Sequence, residues 1–338
     1  MKVLPLYLPH RGCSHICVYC NQPLIVGAEN ERKEWLPRVH AQLTDQPQEQ
    51  WEIAFYGGTF SALSENEMRG CFQEFSPWTK KKNVLGFRIS TRPDCVDDAV
   101  LTFLREHQVR TIELGIESLD DEVLIHCGRG HDAAAAHDAC ARIRRFGFQL
   151  GLHLMCGLPR QSEGSWQKTV HDAISLQPSF VRIAPTLVLK DTPLARLYQR
   201  GAYTPLLLEK AIVQCMYAFS EFSRRRIPIA RVGLALSDHH GDGADKVIAG
   251  PWHPSLRHEV ESRLAGNHIF SVLQEIETDV VVIHPRDYSI VVGSHRRNLA
   301  RWQTELQKTI TIERNEHQPR HSFRVNDRHS YSLFFRET

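Results

Sequence analysis

Short apolar and β-branched runs recur along the chain at Val3–Leu8, Trp51–Tyr56, Gly86–Ser90, Val109–Leu114, Phe148–Met155 and Phe180–Ile183. The stretches between them are long enough to hold helices, so the pattern predicts six parallel βα repeats in an α/β protein. The clearest helical pattern starts after Asp132 and runs through four alanines to Phe146. Asp132 reads as its N-cap, and Arg142, Arg144 and Arg145 sit near the negative end of the dipole before Gly147. Six units make a partial (β/α)6 TIM-type barrel, open on one side to a large substrate. Periodicity alone equally allows an open doubly wound sheet. In either architecture the chemistry belongs on loops leaving the C-terminal ends of strands, and the notable motifs fall there.

The pattern changes after about residue 190, with a helix expected over Leu208–Arg226, a strand near Ile229–Val232 and a polar, Gly-rich loop from Ser237 to Lys246. A boundary near residue 235 then separates a core, 1–235, from a smaller, substrate-related C-terminal extension, 236–338. A chain of 338 residues with 42% hydrophobic and 24% charged residues excludes a fibre, a mini-protein and a disordered tail. The net charge of +2 leaves any nucleic-acid contact to a local patch. No apolar run reaches membrane-spanning length, and Val3–Leu8 is too short and Pro-broken for a secretory signal. The expectation is a cytoplasmic protein without a membrane partner.

Nine cysteines, odd in number, do not make a disulfide framework. Cys13, Cys17 and Cys20 lie within eight residues in the loop after the first strand, while the other six are scattered and read as buried, inert thiols. Three soft thiolates so close can hold three irons of a cubane cluster, leaving the fourth iron open to a small molecule. A zinc site is the alternative, but structural zinc needs four protein ligands, and His15, between two of the cysteines, is poorly placed to reach the same metal.

Other strand ends carry matching chemistry. Gly57 and Gly58, in Tyr56-Gly57-Gly58-Thr59-Phe60, let a ligand such as an ammonium group approach backbone carbonyls, or simply make a tight turn. In Ser90-Thr91-Arg92-Pro93-Asp94, Ser90 and Arg92 read as cofactor or substrate contacts, or as an Asp-capped turn. Glu117 ends the fourth strand and Arg129 follows twelve residues later; a guanidinium there can take a carboxylate bidentately. His153, in Leu152-His153-Leu154-Met155-Cys156-Gly157-Leu158-Pro159, points into the barrel or is a satisfied core residue.

These motifs together resemble the radical S-adenosylmethionine enzymes, whose signature is C-x3-C-x2-C with an aromatic residue, here Tyr19, before the last cysteine. The resemblance implies a 4Fe-4S cluster on Cys13, Cys17 and Cys20, which also makes these the catalytic residues. Its unique iron would chelate S-adenosyl-L-methionine, cleaved on one-electron reduction to a 5′-deoxyadenosyl radical. It further implies that Gly57, Gly58 and Thr59 belong to the motif binding the methionine amino group and that Tyr19 lies against the adenine. Glu117 and Arg129 resemble a Gln and Arg pair of the oxygen-independent coproporphyrinogen oxidases, with Glu in place of Gln.

Within the superfamily the chain is similar to bacterial enzymes related to the Elongator catalytic subunit. Leu8-Pro9-His10-Arg11-Gly12-Cys13, Ala54 to Phe60, Ser90 to Asp94 and Val181 to Lys190 carry this likeness over about residues 1–235. Two departures matter: that subunit has a longer gap in its Cys motif and an acetyltransferase domain for which this chain has no room. No flavin or second-cluster motif is present, so an external donor of flavodoxin or ferredoxin type is expected.

The substrate is less legible. Arg182 and Lys190 lie at or just beyond the sixth strand, where a substrate would meet the radical, and Lys190 reads either as a contact for a phosphate or carboxylate or as an ordinary solvated lysine. From Arg286 onward ten Lys or Arg face six Asp or Glu, and Tyr288 and Trp302 lie among them, a composition that suits RNA or is a solvated face. Asp238, His239, His240 and Asp242 could in principle bind a divalent metal, but they read better as a Gly-rich polar loop. Three readings stand: a radical enzyme acting on RNA, the same chemistry on a porphyrinogen-like small molecule, and a non-catalytic iron-sulfur protein.

Overall fold

The structure, a computed structural model, describes residues 2–26, 32–234, 236, 244–326 and 329–335. Six of its strands fall where the apolar runs do: β1 (Lys2–Tyr7), β2 (Trp51–Tyr56), β3 (Val84–Thr91), β4 (Val109–Glu117), β5 (Gln149–Cys156) and β6 (Phe180–Pro185). β7 (Val188–Leu189) is short, and β8 (Ile229–Val232) pairs in parallel with β6. The main sheet therefore has seven strands, one more than the six repeats predicted, in the order β1-β2-β3-β4-β5-β6-β8. The order never reverses, which removes the doubly wound alternative, since that fold requires a switch point. Residues of β1 and β8, at opposite edges, line one cavity, so the sheet curls into a half-barrel with an open seam between them.

Helices cover the outer face for the reasons the sequence suggests. The helix Ala133–Arg145 starts where the Asp132 side chain accepts from the Ala135 N–H at 2.8 Å. Near its end Arg142 and Arg145 pair with Asp98, at 3.0 and 2.7 Å. Ser64 and Glu67 cap the helix Glu65–Gln73 reciprocally, each side chain meeting the other's backbone N–H. The helix expected to end at Arg226 spans Leu208–Arg224.

The C-terminal region adds β9 (Val247–Ala249), paired with β7, and a second sheet of β10 (Val280–Ile283), β11 (Thr311–Arg314), β12 (Ser322–Val325) and β13 (His329–Ser332). A helix over Leu256–Glu275 buries Val260, Ile269, Val272 and Leu273 in the same apolar core that begins at Leu4 in β1. The core thus runs without a break from the half-barrel into the second sheet. Asp238, His239, His240 and Asp242 lie outside the described residues.

Candidate active site

The loop that carries the three cysteines is locked to the end of β2 through backbone. Leu8 and His10 donate to the carbonyls of Tyr56 and Gly57 at 2.7 and 2.8 Å, and Thr59 donates to the Arg11 carbonyl at 2.9 Å. A Cβ on Gly58 would stand 2.2 Å from the Arg11 carbonyl oxygen, and one on Gly12 would stand 2.1 Å from that of Thr59. Gly57 has a φ of +92°. The glycine pair lets one loop close onto another, a different local reason from the ligand approach expected, although both glycines also face the cavity.

Each cysteine has its own polar neighbour. The Cys13 sulfur lies 3.3 Å from the Thr59 hydroxyl, that of Cys17 accepts from Arg129 Nη1 at 3.1 Å, and that of Cys20 accepts from Gln22 Nε2 at 3.6 Å. Burial, helped by Cys17, pushes the Cys20 thiol up to about 12, so it becomes a ligand only when a cation displaces its proton. Among the described residues no three His, Cys, Asp or Glu side chains converge tightly enough for a single metal ion. The trio is instead spread along the wall of a cavity of about 480 Å³. Of the other cysteines, Cys127, Cys140, Cys156 and Cys215 are buried as expected, whereas Cys71 and Cys95 are only partly so.

Arg129 is the hub of this wall. It is buried, donates through Nη1 to Cys17 and to the Tyr19 hydroxyl at 3.3 Å, and through Nη2 to the Gly115 carbonyl. Glu117 Oε1 lies 3.8 Å away. Burial pulls the guanidinium pKa down, but Tyr19, Glu117 and Cys17 outweigh it and hold the charge. Its Nε is buried and has no hydrogen-bond partner among the described residues. Glu117 reaches His153 Nδ1 at 2.7 Å; burial opposes its ionisation, yet His153 and Arg129 keep its pKa below the ordinary carboxylate value. Glu117 sits at φ +66°, where the β4–β5 register shifts between Gly115 and Glu117. A left-handed glutamate at a strand-end bulge is strained backbone of the kind found at functional sites.

Beside this hub, Arg92 donates to Asp94 at 2.9 and 2.5 Å, to the Ser14 hydroxyl at 3.2 Å and approaches His15 Nε2 at 2.9 Å. It therefore grips the cysteine loop while facing the cavity. Tyr19 packs with Val123, Cys127, Met155, Leu158 and Ala184. Ser90, Thr59, Glu117, Arg129 and His153 all line the same cavity, so every cluster and cofactor residue expected from the sequence meets there.

Deeper in the barrel lies an ion network of which the sequence singled out Arg182 alone. Glu113, almost fully buried, accepts from the Tyr56 hydroxyl at 2.7 Å and from Arg88 and Arg182 at 2.9 Å each. Arg88 also binds Glu52 at 2.7 Å, and Glu52 accepts from the Thr111 hydroxyl at 2.7 Å. Burial would raise the Glu113 pKa, but Arg182, Tyr56 and Arg88 lower it. The available signal was four charged residues inside otherwise apolar strands. Arg182 is thus held by Glu113 and is not a free cation. Lys190 is exposed and does not line the cavity. Trp302, expected on an RNA face, is wholly buried, its indole N–H donating to the Gly266 carbonyl at 3.0 Å. Tyr288 is covered by Arg314, whose guanidinium lies 3.9 Å from the ring centre.

A half-barrel with cysteines after its first strand and polar strand ends around one cavity defines a class, and the chain belongs to it: the radical S-adenosylmethionine superfamily. The superfamily model, described as Radical SAM superfamily, matches residues 7–173, and the Radical_SAM C-terminal domain matches 178–265. The protein YhcC of Escherichia coli K12 is 24% identical over 57% of this chain and 63% of its own length. A tRNA uridine(34) acetyltransferase of Methanocaldococcus infernus is 27% identical over 52% of this chain and 36% of its own. The structure of archaeal Methanocaldococcus infernus Elp3 with an N-terminal deletion superposes with a TM-score of 0.62 at 20% identity, over 79% of this chain and 63% of that one, a likeness of fold. The chain thus spans less than two thirds of each of these proteins. The family implies a 4Fe-4S cluster, S-adenosylmethionine and an electron donor. No described helix is long and apolar enough to cross a membrane.

Proposed function

We propose that this protein is a radical enzyme that reductively cleaves S-adenosylmethionine at a 4Fe-4S cluster and modifies an RNA, most simply a tRNA. The observation that carries the reading is the convergence of three thiols, the Arg129–Glu117–His153 chain and the Gly57-Gly58 loop on one cavity. Cys13, Cys17 and Cys20 hold the cluster, each steadied by its own neighbour. The unpartnered Nε of Arg129 fits a ligand carboxylate, and Glu117 keeps that guanidinium in place. The carbonyls of Gly57 and Gly58 receive an ammonium group, the first sharing its oxygen with the His10 N–H. Tyr19 and Met155 offer an apolar surface to the adenine, while His153 and Ser90 face the ribose. Arg92 steadies the loop from the cofactor side, and Thr59 holds Cys13. Together, the bound cluster and S-adenosylmethionine supply a 5′-deoxyadenosyl radical on reduction.

RNA is favoured over a porphyrinogen-like small molecule by the open seam, which admits a group carried on a larger body, and by the named activity of the tRNA uridine(34) acetyltransferase relative. Residues 1–235 form the radical core and 236–338 serve the substrate, in a reducing cytoplasm with a flavodoxin- or ferredoxin-like donor. Reduced, reconstituted protein should release 5′-deoxyadenosine, Cys17→Ala should release none, and Arg129→Ala should chiefly raise the S-adenosylmethionine concentration required, tenfold or more, as expected for losing a charge-assisted hydrogen bond worth roughly 1.5–3 kcal/mol. A Cys17→Ala protein forming the nucleoside at the wild-type rate would sink the assignment.

A further inference from the structure

Five arginines line the cavity: Arg88, Arg92, Arg129, Arg182 and Arg231. Four have carboxylate neighbours, Arg88 with Glu52 and Glu113, Arg92 with Asp94, Arg129 with Glu117, and Arg182 with Glu113. Arg231 differs. It is exposed on β8 at the open seam, and no described carboxylate lies within ion-pair reach of it. It stands in register with Arg182 on β6, so two guanidinium groups occupy adjoining positions on neighbouring strands, of which Arg182 has Glu113 at 2.9 Å while Arg231 has no described carboxylate within reach. Among the described residues, the inner wall then holds Arg88, Arg182 and Arg231 against Glu52 and Glu113, one positive charge in excess. Tyr7 of β1 and Tyr56, with ring centres 6.3 Å apart, line the same space, and Arg182 lies 5.3 Å from the Tyr56 ring centre.

We propose that Arg231, with Arg182 beside it, is the residue that receives an anionic group of the substrate, a phosphate or carboxylate, where it enters through the seam. A guanidinium is suited to this because its planar fork meets two oxygens at once, and a half-exposed wall desolvates the pair enough to matter. The inference deepens the enzyme reading by giving the substrate its charge class and rests on that reading for its meaning.

The test is binding to the reconstituted protein in the presence of S-adenosylmethionine, with two probes: a fluorescein-labelled RNA stem-loop and coproporphyrin, a tetracarboxylate whose own macrocycle fluorescence reports its binding. Arg231→Gln should weaken at least one of them tenfold or more, Arg231→Lys should recover part of the loss, and added salt should narrow the difference between variants. Loss of the RNA identifies phosphate as the source; loss of the porphyrin identifies carboxylate. Equal binding of both probes by Arg231→Gln and wild type, or binding of neither by wild type, overturns the proposal. The response of the wild-type cluster spectrum to S-adenosylmethionine, recorded on the same samples, tests the enzyme reading separately.

Discussion

His131 shows how tightly the residues behind the cysteine loop are tied together. Its imidazole is wholly buried, with Asp94 4.0 Å away and Arg129 two residues before it. Burial, then Arg129, lower its pKa from 6.5 to about 4, against a smaller opposing effect of Asp94. The folded protein therefore keeps this histidine neutral while the unfolded chain protonates it. Its contribution is complete above the unfolded pKa and is lost as pH falls from about 6.5 toward 4. Between pH 7 and pH 5 the loss from this residue should be about 2 kcal/mol. Urea unfolding of wild type and His131→Leu at both pH values measures it. The variant should lose correspondingly less stability on acidification, and parallel declines would contradict the assignment. The sequence gives little warning of such a role, because the burial of His131 depends on residues distant in the chain, Asp94 among them. The cluster cysteines are the opposite case, since Cys13, Cys17 and Cys20 stand together in the chain and need no tertiary information to be seen. Trp302 was misjudged for a related reason: neighbouring arginines suggested a surface, while the indole belongs to the core beside Gly266.

At the level of elements, the loops after β1 and β2 act as one unit because Gly12 and Gly58 let their backbones interlock. Gly58→Ala forces a methyl against the Arg11 carbonyl, and the clash should cost about 3 kcal/mol and displace the cysteine loop. Gly70 provides the contrast. It lies inside the helix Glu65–Gln73, where an added methyl meets nothing, so Gly70→Ala should stabilise by about 0.5–1 kcal/mol. Thermal unfolding together with iron content after reconstitution separates the two; a Gly58→Ala protein that loads iron normally would contradict the interlock. The first six strands were legible because each is a compact apolar run, and the Asp132 cap because its side chain acts locally. β8 was seen as a strand but not as the seventh of the sheet, since pairing with β6 is a long-range event that Ile229–Val232 does not encode by itself. The bulge before Glu117 and its left-handed backbone were likewise invisible, for strain of this kind is imposed by what surrounds it. The ion network of Glu52, Arg88, Glu113 and Arg182 left a visible trace, charges in apolar strands, but its pairing joins strands far apart in the chain.

For the whole molecule, curling is what turns separate strand ends into one site. β1 and β8 do not pair, and the gap between them leaves the cavity open at its side, with the thiols and Arg129 along one part of the wall and Arg182 and Arg231 along another. Because the C-terminal sheet shares the apolar core with the half-barrel, the two are braced against each other. The central claim is that the thiols and the Arg129 wall serve one cofactor pair. Electron paramagnetic resonance of anaerobically reconstituted, reduced protein, recorded with and without S-adenosylmethionine, tests that claim most directly. The cluster signal should change when S-adenosylmethionine is added. A cluster whose spectrum ignores S-adenosylmethionine, or a protein that takes up zinc in place of an iron-sulfur centre, would contradict it.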